Sequence, residues 1–292
     1  MKILTYTVPL SSDGRMIKRI IRGDMRVSQK QLAQLKSTDG MLLDGTPVHA
    51  NAVVRAGQVV TLRLPEGGGE KEIRHDDGPI DIVYENEDLL IVNKSAPLAC
   101  QSSFRQADNT LENKLSYYFR DTPGYIFRPV NRLDKGTSGL MAVAKHAHAQ
   151  TLMSSLLHTG GFVRRYRAIV CGQLPAREGT IDLPIAKGAG ATIRRVVDES
   201  GRRAVTRYRV EREENGLSLV RLTLETGRTH QIRVHMCAMG CPVLGDFLYG
   251  EEDERLPGRF ALHSCHMEFT HPLTGEDMAF DAPLPRELSA LL

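Results

Sequence analysis

Arg128-Pro129-Val130-Asn131-Arg132-Leu133-Asp134-Lys135-Gly136-Thr137-Ser138-Gly139-Leu140 is the stretch on which the reading of this chain turns. One carboxylate stands between cations in a loop dense in Gly, Ser and Thr, and the loop runs straight into the apolar run 140–144. Loops at strand ends, held by a rigid scaffold, are where reactive groups tend to be mounted. A carboxylate between Arg132 and Lys135 is expected to be ionised and can act as nucleophile or base. The same residues can also do no more than close a turn before a strand, so the loop alone leaves both readings open.

Around this loop, apolar β-rich runs recur at 80–84, 89–92, 140–144, 166–170, 217–224 and 260–262, with helical stretches near 109–119, 146–158 and 230–239. That is an α+β organisation, not the regular alternation of a doubly wound sheet. A second informative segment is Leu224-Glu225-Thr226-Gly227-Arg228-Thr229-His230-Gln231-Ile232-Arg233-Val234-His235. Thr229 is placed to cap a helix carrying His230, Arg233 and His235 and ending near Gly240. A glycine beside Arg228 at a helix start can seat a phosphate, and Arg233 can alternatively reach a buried carboxylate. In the run 164–170, read as a strand, Tyr166, Ala168 and Val170 share one face. Tyr166 there is either a core tyrosine or a surface on which a base stacks.

Other chemistries find little support. His230, His235, Cys237, Cys241, His263, Cys265 and His266 lie close in sequence, but the two helical histidines are five apart and point about 140° away from each other. No zinc-ribbon pairing follows, so no metal is expected. The 187–190 stretch is too short for a P-loop, and no Gly-x-Ser-x-Gly elbow is present.

Composition bounds the rest. The 292 residues are 41% hydrophobic and 25% charged, which excludes disordered, collagen-like and fibrous classes and suggests about two domains. The net charge of +3 hides an asymmetry, because residues 1–65 carry ten basic and four acidic side chains and the remainder is therefore net acidic. Within that basic head, Met16, Ile17, Ile20 and Ile21 recur at helical spacing, among Arg15, Lys18, Arg19 and Arg22. Ser28 and Gln31 have capping-box spacing for a second helix, and short strands are expected at 41–43, 53–54 and 59–64. A Gly-rich linker is read at 66–79, dividing a 1–65 module from an 80–292 domain. No export signal or apolar run of about 18 residues is seen, and the five cysteines are scattered, so a soluble cytoplasmic protein that does not meet a membrane is expected.

Together these segments resemble the RluA-type pseudouridine synthases. The family loop His-Arg-Leu-Asp-x-x-Thr-Ser-Gly-Leu corresponds to Asn131–Leu140, with Asn131 in place of the His. The signature Thr-Gly-Arg-x-His-Gln-Ile-Arg-x-His is matched throughout by Thr226–His235. Arg165-Tyr166-x-Ala168 resembles the family's basic-x-Tyr-x-Ala strand, while Gly245–Gly250, Leu262-His263 and Phe269-x-His271-Pro272 resemble its closing segments. The family's Lys-Pro-x-Gly is Lys94-Ser95-Ala96-Pro97 here. The likeness spans residues 80–285, and residues 15–64 look, more loosely, like an S4-type RNA-binding module.

The resemblance implies a mixed, mainly antiparallel β-sheet catalytic domain with flanking helices, plus a small α/β S4-like N-terminal domain. It also implies cofactor-free isomerisation of uridine in RNA, with ribosomal RNA favoured and transfer RNA possible. Asp134 is then the nucleophile, acting at the base or the ribose. Arg132 enters the space left by the flipped base, Tyr166 stacks on the uracil, and Arg233 pairs with Asp134 and keeps it an anion. Arg228, His230, Lys135 and Thr137 are assigned to substrate binding. Arg15, Lys18, Arg19 and Arg22 would grip the RNA backbone, and the protein is expected to act as a monomer. Two alternatives stand beside this reading: an RNA-binding protein that has kept the fold without the catalysis, and a metal-dependent hydrolase.

Overall fold

A computed structural model describes residues 2–65, 73–104, 106–190 and 193–292. The basic head is built as its pattern predicts. β1 (Lys2–Thr7) leads to α1 (Ile17–Arg22), in which Ile17, Ile20 and Ile21 are fully buried while Arg15, Arg19 and Arg22 stay exposed. α2 (Gln29–Ser37) starts from the expected capping box, with Ser28 Oγ accepting from Gln31 N–H and the Gln31 side chain accepting from Ser28 N–H. β2 (Met41–Leu43), β3 (Thr46–Pro47) and β4 (Val59–Leu64) complete an antiparallel sheet ordered β1-β4-β2-β3, over its own apolar cluster. Two expectations need correction. Residues 53–54 form no strand, only a bridge from Val53 to Met16, and β1 had not been read as a strand. The glycines 67–69 of the expected linker lie outside the described residues, and 73–79 form no helix or strand.

The rest of the chain runs β5 (Ile82–Glu85), β6 (Leu89–Lys94), α3 (Leu111–Tyr118), β7 (Ser138–Ala144), α4 (Ala147–Thr159), β8 (Phe162–Cys171), β9 (Glu178–Asp182), β10 (Ile185–Lys187) and β11 (Arg195–Val197). It continues through β12 (Val205–Glu214), β13 (Leu217–Leu224), α5 (Gln231–Ala238), β14 (Leu262–Thr270), β15 (Asp277–Asp281) and α6 (Arg286–Ser289). Nine strands form one sheet, ordered β5-β6-β7-β14-β8-β13-β12-β9 with β15 on β14; β10 and β11 pair separately. Only the β7–β14 pair is parallel, so the sheet is mixed and mainly antiparallel.

β6 and β7 are apolar in unbroken runs because both faces are covered. Leu90, Val92, Met141 and Val143 enter the cluster beneath α3 and α5, while Leu89, Ile91, Leu140 and Ala142 enter the one beneath α4. β12, by contrast, was not anticipated. Between β13 and β9 it turns Tyr208 and Val210 into the main apolar cluster, with Val205 buried at its start, and arginines occupy its outward positions.

Lys2 joins the two sheets. Its Nζ donates to Asp88 Oδ1 at 2.8 Å, and His146 Nε2 lies 2.8 Å from the same oxygen. Burial pushes the Asp88 carboxyl up, but the hydrogen bonds and charges of His146 and Lys2 outweigh it and pull it down to about 2.

The parallel pair explains one glycine of the loop signature. At Gly139 φ is +109°, and an added Cβ would stand 2.2 Å from the Ser264 carbonyl oxygen on β14. Gly139→Ala should therefore cost about 3 kcal/mol or more, by strain and overpacking together. Urea denaturation measures this, and a change below about 0.5 kcal/mol would show that β7 and β14 do not approach so closely. Among the described residues, no helix is long and apolar enough to cross a membrane.

Candidate active site

The Asp134 loop is held from three sides. Before it, residues 128–130 double back along β7, with Val130 N–H donating to Ala142 O and Ala144 N–H to Arg128 O. After it, Thr137 N–H donates to Asp134 O and closes the turn into β7. From the 94–100 segment, Leu98 N–H donates to Lys135 O and Cys100 Sγ–H to Leu133 O at 3.0 Å. Lys94, only 2% exposed, gathers three carbonyls with its ammonium: Ser95 at 2.8 Å, Leu98 at 2.7 Å and Lys135 at 3.5 Å. Burial pushes the Lys94 ammonium down to about 8, with the charges of Cys100 and Asp134 opposing. The carbonyls on both sides of Asp134 are thus pinned, which fixes where its carboxylate points.

That carboxylate meets Arg233 of α5. Asp134 Oδ2 accepts from Arg233 Nη1 at 2.9 Å. The other edge of the same guanidinium is clamped by Asp246, with Nε–Oδ2 at 2.6 Å and Nη2–Oδ1 at 2.8 Å. Asp246 is wholly buried and also accepts from the backbone N–H groups of Leu248 and Tyr249. Burial works against the Arg233 cation, but its bonds to Asp246 and the charges of Asp134 and Asp246 outweigh it and raise its pKa. The Phe260 ring, 4.2 Å from the guanidinium carbon, covers one face.

His230 Nε2 lies 3.9 Å from the other Asp134 oxygen. Its Nδ1 is 2.9 Å from the Tyr249 hydroxyl, which already accepts from Arg195 N–H at 2.8 Å. That hydroxyl can give its own proton to Nδ1, and in this arrangement the N–H of His230 sits on Nε2, toward Asp134. Burial lowers the His230 pKa, although Asp134 opposes the shift, and so favours this neutral form. Where Thr229 was expected to cap α5, the cap is His230 itself in the left-handed region, with no side-chain cap bond. Gln231 instead ties down the approach to the helix, its Oε1 accepting from Arg228 N–H and Thr226 Oγ–H.

Asp134, Arg233 and His230 line one cavity of about 770 Å³. Arg132, exposed, and Tyr166, 5% exposed, are on its wall with Asp134 and Arg233. Thr137, Arg228 and His230 line it as well, whereas Lys135 is exposed and does not. Arg228 spends its Nε–H on the Arg203 carbonyl. Lys94, Asp246 and Tyr249 had no role in the sequence reading. The segment 245–250 was noted, but its spacing does not say which cation it serves. Among the described residues no group of three or more His, Cys, Asp or Glu side chains is placed to hold a metal.

The family model for RNA pseudouridylate synthase matches residues 88–238, which contain both the Asp134 loop and α5. The chain is 38% identical over 272 residues to the uncharacterized RNA pseudouridine synthase YjbO of Bacillus subtilis (strain 168), covering 92% of this chain and 96% of that one. It is 38% identical over 273 residues to ribosomal large subunit pseudouridine synthase D of Vibrio vulnificus (strain CMCP6), covering 86% and 83%. Among solved structures, human RNA pseudouridylate synthase domain containing 1 superposes with a TM-score of 0.60 at 28% identity, over 73% of this chain and 87% of that one. With the matched segments carrying the cavity's own groups, the chain belongs to the RNA pseudouridine synthase family, isomerases that act on RNA.

Proposed function

We propose that this protein isomerises uridine to pseudouridine in ribosomal RNA with Asp134 as the nucleophile. The observation that carries the reading is the Asp134–Arg233 contact of 2.9 Å on the wall of a cavity large enough for a nucleotide. In the reaction the C1′–N1 bond breaks, the uracil turns, a C1′–C5 bond forms, and the proton lost from C5 is balanced by one taken up at N1. Nothing is gained or lost, so no cofactor is needed. The base must leave its stack to reach the cavity. Arg132, exposed beside the nucleophile, enters the space the base vacates. Tyr166 gives the uracil a ring to stack on, with its phenol kept neutral by burial. Thr137, Arg228 and the Nε2–H of His230 face the bound nucleotide, while Lys135, outside the cavity wall, contacts the strand beyond it.

The N-terminal unit, residues 1–65 with its own sheet and apolar cluster, acts as an S4-like RNA grip separate from the 80–292 catalytic domain. Its contacts are the exposed Arg15, Arg19 and Arg22, with Lys18 half-buried beside Asn51. Such contacts position RNA without reading its sequence. Replacing Arg15 and Arg19 together by Gln should lower the slope of log affinity against log salt by about 1 to 2. An unchanged slope would remove this helix from the interface. The ribosomal substrate is supported by the name of the Vibrio relative, and the protein acts in the cytoplasm as a monomer. The deciding experiment maps pseudouridine in ribosomal and transfer RNA transcripts incubated with the purified protein, and in cells with and without its gene. Protein-dependent sites in ribosomal RNA are expected. Sites in transfer RNA alone would reassign the substrate, and none in either would overturn the activity.

A further inference from the structure

Arg164 stands on β8 two residues before Tyr166, so its side chain leaves the same face and lines the same cavity. It is 7% exposed, its Nε is buried without a hydrogen-bond partner, and among the described residues no carboxylate pairs with it. Two comparably buried arginines behave differently. Arg233 holds Asp134 and Asp246, and Arg259 holds Glu287 at 2.5 Å. A buried cation with no counter-charge is costly to keep, and the fold gains nothing evident from it.

The surroundings keep the guanidinium open. Gly227, in the segment before α5, has no positive φ, so its backbone does not call for glycine. The three atoms nearest to an added Cβ there all belong to the Arg164 guanidinium, with Nη1 at 3.1 Å. A side chain at 227 would lie against the cation. On the same cavity wall Asn131 has its Oδ1 fixed by Ala142 N–H at 2.8 Å, which leaves Nδ2 as a buried donor without a partner. Two residues that each keep a buried, unspent donor, one of them charged, therefore stand on the wall of a cavity that also holds the nucleophile.

We propose that Arg164 is the seat for a backbone phosphate of the RNA strand next to the flipped uridine, with Asn131 Nδ2 supplying a second donor. A phosphodiester offers the negative charge and the acceptor oxygens that this wall lacks, and a planar guanidinium suits it. The seat rests on the reading that RNA enters this cavity. It adds a fixed point for the strand, beside the base-stacking and nucleophilic groups.

The test uses the full chain and a labelled single-stranded oligouridylate, titrated over a range of salt. Arg164→Gln should weaken binding about tenfold and lower the salt slope by about 0.7, the value for one phosphate contact to a single strand. Gly227→Ala, which keeps the charge but crowds it, should weaken binding in the same direction. Arg164→Met should leave the unfolding temperature unchanged or raised, because an unpaired buried charge is lost. Wild-type affinity and slope in Arg164→Gln, or a lowered unfolding temperature in Arg164→Met with an unchanged slope, would overturn the seat while leaving the activity intact. A wild-type protein that neither binds the oligouridylate nor makes pseudouridine would instead overturn the reading of the cavity itself.

Discussion

Asp134→Asn should abolish pseudouridine formation, with the single-turnover rate falling by at least about 10⁴-fold, while RNA binding and stability stay close to wild type. The size follows from removing a nucleophile that no neighbour can replace. The selectivity follows from the geometry. The amide oxygen of Asn can still accept from Arg233 Nη1, and Arg233 keeps Asp246 as its carboxylate partner, so no buried charge is left alone. The pinned carbonyls of Leu133 and Lys135 belong to the backbone and do not change with the side chain. Binding is read by anisotropy, and product by pseudouridine mapping in a transcript. A variant that retains more than about a hundredth of the wild-type rate would remove Asp134 from the nucleophile role. Equal loss of binding and turnover would make it a binding residue.

Arg233→Met should lose turnover and stability together, and the two losses should separate in a second variant. The substitution leaves Asp246 wholly buried with only the Leu248 and Tyr249 N–H groups to hold it. Breaking a buried pair in this way costs about 3–5 kcal/mol. It also frees the Asp134 oxygen that faced Nη1. In Arg233→Met with Asp246→Asn the stranded charge is gone, so most of the stability should return while turnover stays lost. Arg233→Lys keeps the charge but cannot span two carboxylates, so it should fold better than the Met variant and still turn over about 10²-fold more slowly. Urea denaturation and single-turnover kinetics measure the two effects. A stable Arg233→Met would show that the pair with Asp246 is not what holds α5 against the loop. A double variant with wild-type turnover would remove Arg233 from the site.

Much of this was legible in the chain. The capping box at Ser28 and Gln31, the buried face of α1 and the doubly apolar runs of β6 and β7 are local patterns, set by spacing of a few residues. They can be read without knowing what lies across from them. The Asp134 loop and the segment 226–235 were recognisable for the same reason. β12 escaped because its outward arginines dominate its composition. The cap of α5 was misplaced because Thr229 satisfies a local rule that the turn at His230 overrides.

What the linear sequence determined by itself was the main helices, the apolar central strands, the basic head and the two segments that carry the chemistry. Only the tertiary structure decided the partnerships. Arg233 is shared by carboxylates 99 and 13 residues away, Lys94 holds a carbonyl 41 residues on, and the Tyr249 hydroxyl meets Nδ1 of His230, 19 residues before it. Among the described residues no carboxylate was brought to Arg164, whose Nε is buried without a hydrogen-bond partner. Burial makes each of these matter, because an ion or donor removed from water must find its complement among whatever groups the sheet order brings beside it. That adjacency depends on β14 lying between β7 and β8, which no spacing in the sequence records.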